Sequence, residues 1–130
     1  MLKKRITPRI SETNLAKHIG HHAIPIWFEE GFVDLIRLFV SDQNDDPGIV
    51  MVNLNIDFIK EMYLGDDVEI TTAVKEIRNS SFVLQQEVYQ KQSLCARGTV
   101  TFIHFDYSTK KAKTIPDDIR LKLEQHLIDQ

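Results

Sequence analysis

The chain has 130 residues, 42% hydrophobic and 27% charged, with a formal net charge of −3 at pH 7. That length predicts one domain over residues 1–130, and so mild an acidic balance gives no reason to expect nucleic acid or an anionic membrane as partner. A lone cysteine, Cys95, excludes an internal disulfide or a cysteine metal cage, no apolar run reaches the roughly 20 residues of a membrane span, and the basic opening lacks a secretory h-region; a cytoplasmic enzyme or binding domain is expected.

Arg5 to Ile10 reads as a first strand, interrupted by Pro8, and Ser11 to Gly20 as a polar loop. From Ala23 to Val40 the apolar residues Ala23, Ile24, Trp27, Phe28, Phe32, Leu35, Ile36 and Phe39 recur at steps of three and four, which predicts a long helix. Pro25 falls in its first turn, where a missing N–H costs little. Gly31 falls mid-helix, where it costs about 1 kcal/mol against alanine, so something is expected to pack close to the backbone there.

Ser41 to Gly48 reads as a loop, and the period then changes to two. Val50, Val52, Leu54, Ile56 and Phe58 are expected on one face of a strand, and Val68, Ile70, Thr72 and Val74 on one face of the next. Arg78-Asn79-Ser80-Ser81 reads as a hairpin turn. Phe82, Leu84 and Val88 follow, then a last long strand through Val100, Phe102 and His104. Pro116 with Asp117 and Asp118 opens a short helix with an Ile119, Leu123, Leu127 stripe. A helix apolar around most of its circumference must be surrounded, and an antiparallel four-strand meander curved around it meets that demand. The expected class is α+β, the hotdog arrangement. One such unit leaves a sheet edge uncovered, so a homodimer or homotetramer is expected.

The loop Glu12-Thr13-Asn14-Leu15-Ala16-Lys17-His18-Ile19-Gly20-His21-His22, running into Trp27-Phe28-Glu29, resembles the signature of the 4-hydroxybenzoyl-CoA thioesterase family of hotdog proteins. Leu64-Gly65-Asp66-Asp67 and Ile115-Pro116 are similar to later parts of that pattern, so the likeness covers nearly the whole chain. It implies hydrolysis of an acyl-CoA or acyl carrier protein thioester, with no cofactor and no metal. Three positions depart from the pattern: Asn14 stands at the family's catalytic Asp, Lys17 at a Gly, and Gly20 with His21 at paired Asn residues.

Hydrolysis needs a polarised carbonyl and an attacking group. The resemblance assigns polarisation to the backbone amide of His21 at the helix start, with His22 beside it. A carboxamide cannot act as base or nucleophile, though Asn14 could orient water or the thioester. On a helical wheel Glu29 falls between Val33, Ile36 and Val40, inside the apolar arc, which would raise its pKa; it either braces the site or acts as the base. His18 could polarise water or brace the loop, and Glu12 is expected to stabilise the loop. His22 is a candidate substrate contact at the helix start, and Trp27 is either core, as helix aromatics usually are, or a lining residue of the acyl tunnel. Arg78 and Ser80, in the hairpin, are candidates for the nucleotide of coenzyme A. His18, His21 and His22 raise a zinc reading, set aside because adjacent histidines rarely point the same way. A thioester-binding protein without catalysis and a hotdog dehydratase using His18 with Glu29 are the competing functions.

Overall fold

The computed structural model describes residues 1–14, 17–40 and 46–128. In chain order the elements are β1 (Leu2–Ile6), α1 (Ala23–Ile36), β2 (Ile49–Phe58), β3 (Val68–Ile77), β4 (Ser81–Gln90), β5 (Ser93–Asp106), β6 (Lys111–Ala112) and α2 (Asp117–Glu124). Every strand pairing is antiparallel. The main order across the sheet is β1-β3-β4-β5-β2, and α1 packs on its inner face. This is the expected α+β hotdog architecture.

Several details differ from the sequence reading. The first strand is Leu2–Ile6, not Arg5–Ile10: Leu2 lies opposite Thr72 and Ile6 opposite Val68. Pro8 offers no N–H to extend that ladder, and Ile10 begins a 3-10 turn, Ile10–Glu12. The four later strands are not one continuous meander. β3, β4 and β5 are, but β2 lies at the far edge against β5. Residues 59–67 therefore cross from one side of the sheet to a strand three places away. Within β2 a bulge falls between Met51 and Asn53. It breaks the simple alternation, so Val50 lies opposite Ile103 while Leu54 and Ile56 lie opposite Val100 and Gly98. The expected loop Ser41 to Gly48 lies mostly outside the described residues.

The helix is α-helical to Ile36 and ends in a 3-10 turn, Arg37–Phe39. Ala23, Ile24, Trp27, Phe28, Phe32 and Leu35 are buried against the sheet. Gly31 permits that approach. A Cβ at this position would stand 2.8 Å from Ile70 Cγ2, 2.9 Å from Gln86 Nε2 and 2.9 Å from Thr72 Oγ1. The Gln86 amide donates to the carbonyl of Phe28 at 2.8 Å and to Thr72 Oγ1 at 3.0 Å, which ties helix to sheet. Gly31→Val is expected to cost about 3 kcal/mol through overpacking, measured by denaturant unfolding. A loss under about 1 kcal/mol would show that helix and sheet can separate freely here.

The opposite face of α1 is not enclosed by the described residues of one chain. Ile26 is 50% exposed, Val40 is exposed, and Val33 and Ile36 are only partly buried. Glu29 lies on this face and is exposed in the single chain, so the sheet does not supply the desolvated setting expected of it. β2 is similarly bare: Val52 is 51% and Phe58 59% exposed.

Candidate functional site

The residues before α1 form a tightly held loop. Glu12 is a buried carboxylate. It accepts the backbone N–H of Arg9 at 2.7 Å and the indole N–H of Trp27 at 2.6 Å. Its own carbonyl accepts the N–H of Gly20 at 2.8 Å. Glu12 is thus the loop brace anticipated from its position. Of the two readings of Trp27, the structure favours core over substrate contact: it is fully buried behind the loop as the partner of that brace.

Asn14 and His18 close the next turn. The Asn14 backbone N–H donates to the His18 carbonyl at 2.8 Å, and Asn14 Oδ1 accepts the His18 backbone N–H at 3.2 Å. Lys17, where the related pattern has Gly, adopts φ +66°, the left-handed conformation that glycine takes without steric cost. Residues 18 and 19 are pinned from outside by the crossover 59–67: Ile19 N–H donates to the Met62 carbonyl at 2.8 Å, and His18 bridges Tyr63.

Among the described residues no side chain caps the start of α1. Ala23 N–H goes to the Gly20 carbonyl at 3.1 Å and Ile24 N–H to the His21 carbonyl at 3.4 Å, while Pro25 has none to offer. Among the described residues no acceptor takes the amide protons of His21 or His22. Such unclaimed donors carry the partial positive charge of the helix end and suit an anionic oxygen.

His21 lines a cleft of about 260 Å³. Its apolar wall is Ile24, Phe58, Ile59 and Met62, and its polar members include Lys60 and Glu61. The His21 ring stands edge-on to Phe58 at 6.4 Å between centroids. The His22 ring lies over Gly20, where any Cβ would collide with it, and its Nε2 is 3.3 Å from the Ser11 carbonyl. That side chain therefore braces the loop. The rings of His21 and His22 are nearly perpendicular, and among the described residues no group of three His, Cys, Asp or Glu could hold a metal.

His18 stands beside this cleft. Its Nδ1 is 3.1 Å from Glu61 Oε2, and its ring meets Tyr63 edge-on at 4.8 Å. Glu61 was not picked out by the sequence. No local spacing marks it, because only the placement of β2 at the sheet edge carries the crossover under the start of α1.

Arg78 and Ser80 are not brought to this cleft within the chain. They follow Ile77, at the far end of β3 from Val68. The ten residues of that strand span roughly 33 Å. Arg78 instead makes a two-pronged pair with Glu76 at 3.0 and 3.1 Å. That guanidinium lowers the Glu76 pKa, and the carboxylate raises that of Arg78. A larger hollow of about 620 Å³ lies along β1, β3 and β4, lined by Lys3, Arg5, Glu69, Glu87 and Tyr89 among others. Part of its charge is already matched, Arg97 with Glu87 at 2.8 Å and Lys91 with Asp66 at 3.3 Å. The helix start does not line it.

A family model described as the thioesterase-like superfamily matches residues 8–123. The structure of a predicted thioesterase from Bacillus stearothermophilus superposes with a TM-score of 0.91 at 33% identity, covering 99% of this chain and 98% of that one. The long-chain acyl-CoA thioesterase FadM of Escherichia coli strain K12 is 31% identical over 78 residues, 58% of this chain and 59% of that enzyme. This chain thus matches about three fifths of that relative's length. A thioesterase from Thermus thermophilus, solved with coenzyme A and Zn, shares the fold with a TM-score of 0.83 at 16% identity, covering 94% of this chain and 96% of that one.

Proposed function

The chain belongs to the thioesterase-like superfamily, and on that footing we propose that it hydrolyses an acyl-CoA to the free acid and coenzyme A. The observation that carries this reading is the start of α1, where His21 lines an apolar-walled cleft and its amide, like that of His22 beside it, has no acceptor among the described residues. A thioester carbonyl placed there gains negative charge as it is attacked, and preorganised N–H donors stabilise that charge. The apolar wall of Ile24, Phe58, Ile59 and Met62 suits the acyl group. An acyl carrier protein thioester is the alternative substrate, and the cytoplasm the proposed setting.

The working unit in this proposal is a homodimer, or a tetramer built from it, joined through β2. The exposed apolar side chains of β2 and of the uncovered helix face support it. Two copies pairing antiparallel along β2 would set the Phe58 end of one against the Ile49 end of the other. Arg78 and Ser80 then lie at the same end as the second copy's cleft, where they are proposed to meet the nucleotide. Glu29 would be covered by that pairing and brace the seam.

A panel of aromatic, short and long acyl-CoAs, followed by thiol release, tests the reading. Turnover of at least one class is expected, and no turnover above buffer on any of them would reject it. A thioester-binding protein without catalysis is the second reading, favoured because Asn14 is engaged in closing its loop. Tight acyl-CoA binding without hydrolysis would establish it. Asn14→Asp keeps an acceptor for the His18 N–H and adds a carboxylate, so kcat is expected to rise; a fall would show that the carboxamide itself is required.

A further inference from the structure

We propose that Glu61 is the general base of this site, the group that supplies the carboxylate Asn14 lacks; the proposal rests on the thioester-hydrolase reading above. Among the described residues that line the cleft, Glu61 is the one carboxylate, and it shares that cleft with His21 at the helix start. Its position is fixed from two sides. The crossover that carries it is hydrogen-bonded through Met62 to Ile19. Its Oε2 lies 3.1 Å from His18 Nδ1. His18 is in turn held by the Tyr63 ring and by Asn14 Oδ1 on its backbone N–H. Asn14, His18 and Glu61 thus form a relay of position: the carboxamide sets the turn, the turn sets the imidazole, and the imidazole orients the carboxylate. This gives Asn14 a use that a carboxamide can fulfil. The Glu61 side chain is 64% exposed and that of His18 30%, so the carboxylate reaches water from its anchored pose.

The step balances without any further reagent. Glu61 takes a proton from water as the water oxygen bonds to the acyl carbon. The carbonyl electron pair moves onto oxygen, where the amides of His21 and His22 receive it. Collapse of that intermediate reforms the carbonyl and breaks the C–S bond, and the pair leaves on sulfur. The thiolate then recovers the proton from the Glu61 carboxyl, leaving free acid, thiol and the original carboxylate. Glu61 is the catalytic residue in this scheme, and His18 and Asn14 are positioning residues.

The test is Glu61→Gln in the full chain, with kcat and KM measured from pH 5 to 9 on the acyl-CoA that the wild type turns over fastest. His18, His21, Lys60 and Tyr63 are the neighbouring groups around Glu61, and all are retained in the variant, so the comparison isolates Glu61. We expect kcat to fall about 100-fold with KM nearly unchanged. Glu61→Asp should recover part of the rate, His18→Ala should lower kcat about tenfold, and Glu30→Gln, on the exposed helix surface, should match the wild type. Because Glu61 is exposed, its Gln variant should melt with the wild type. A Glu61→Gln enzyme within about threefold of wild-type kcat would overturn the proposal while leaving the hydrolase reading intact. A wild type inactive on every acyl-CoA would end both.

Discussion

Trp27→Phe is expected to destabilise the protein by about 2–3 kcal/mol, more than the change in ring volume explains. Phenylalanine still fills most of the buried site. What it lacks is the indole N–H, which meets Glu12 at 2.6 Å in the interior. Glu12 then keeps the Arg9 N–H at 2.7 Å but loses its other short donor, at a site closed to bulk solvent. Depriving a buried charged acceptor of its donor lies at the upper end of hydrogen-bond costs. For a chain of this size the melting temperature should drop by roughly 10 °C. The decisive measurement is a double-mutant cycle with Glu12→Gln, in which the two losses should be coupled by at least about 1 kcal/mol. Additivity within about 0.5 kcal/mol would mean that the contact carries no special energy. Because the Glu12 carbonyl also holds Gly20, kcat should fall as well. Had Trp27 instead lined an acyl tunnel, the change would appear in KM across chain lengths, with stability spared.

Leu54→Asp is expected to convert the assembled protein to a 15.1 kDa monomer and to abolish thioester hydrolysis. β2 is a ten-residue edge strand whose outer row of backbone N–H and C=O groups has no partner strand among the described residues. Long edges of this kind template pairing with another strand. Its apolar side chains continue onto the bare face of α1 through Ile26, Val33 and Ile36. Exposed apolar area of that extent marks an interface on a soluble protein. Leu54 sits near the middle of the strand, so two-fold pairing would bring it close to its own counterpart. An aspartate there sets two like charges together in an apolar seam, which costs several kcal/mol. Light scattering on the eluting peak reads the outcome directly. A wild type that already elutes as a monomer, or a variant that keeps the wild-type mass, would refute the pairing. Residual wild-type kcat in a monomeric variant would show that one chain suffices for catalysis.

The fold was legible because its two periodicities are clean. The three-four recurrence from Ala23 to Phe39 marks the central helix, and Val68, Ile70, Thr72 and Val74 mark an inward strand face that the structure buries. Gly31 was informative for the physical reason expected, since a glycine amid good helix formers signals a neighbour at the backbone. What stayed hidden was long-range. Nothing in residues 49–58 says that this strand pairs with β5 and not with its successor, and the bulge after Met51 has no glycine or proline to announce it. The helical wheel placed Glu29 among apolar neighbours correctly but could not say that those neighbours face outward. The site was half legible. The loop before α1 and the amide at His21 were marked as candidates by the resemblance to the thioesterase pattern, which runs through them in unbroken sequence order. Glu61 enters the cleft only through the crossover, and Arg78 leaves it only because β3 is long.

The wall of the cleft is made by the last residue of the edge strand and the first residues of the crossover. Phe58 and Met62 thus serve two masters, since whatever braces that strand also shapes the mouth above the helix start. Dilution should therefore silence the protein before it denatures, with specific activity falling at concentrations where the backbone spectrum is still unchanged.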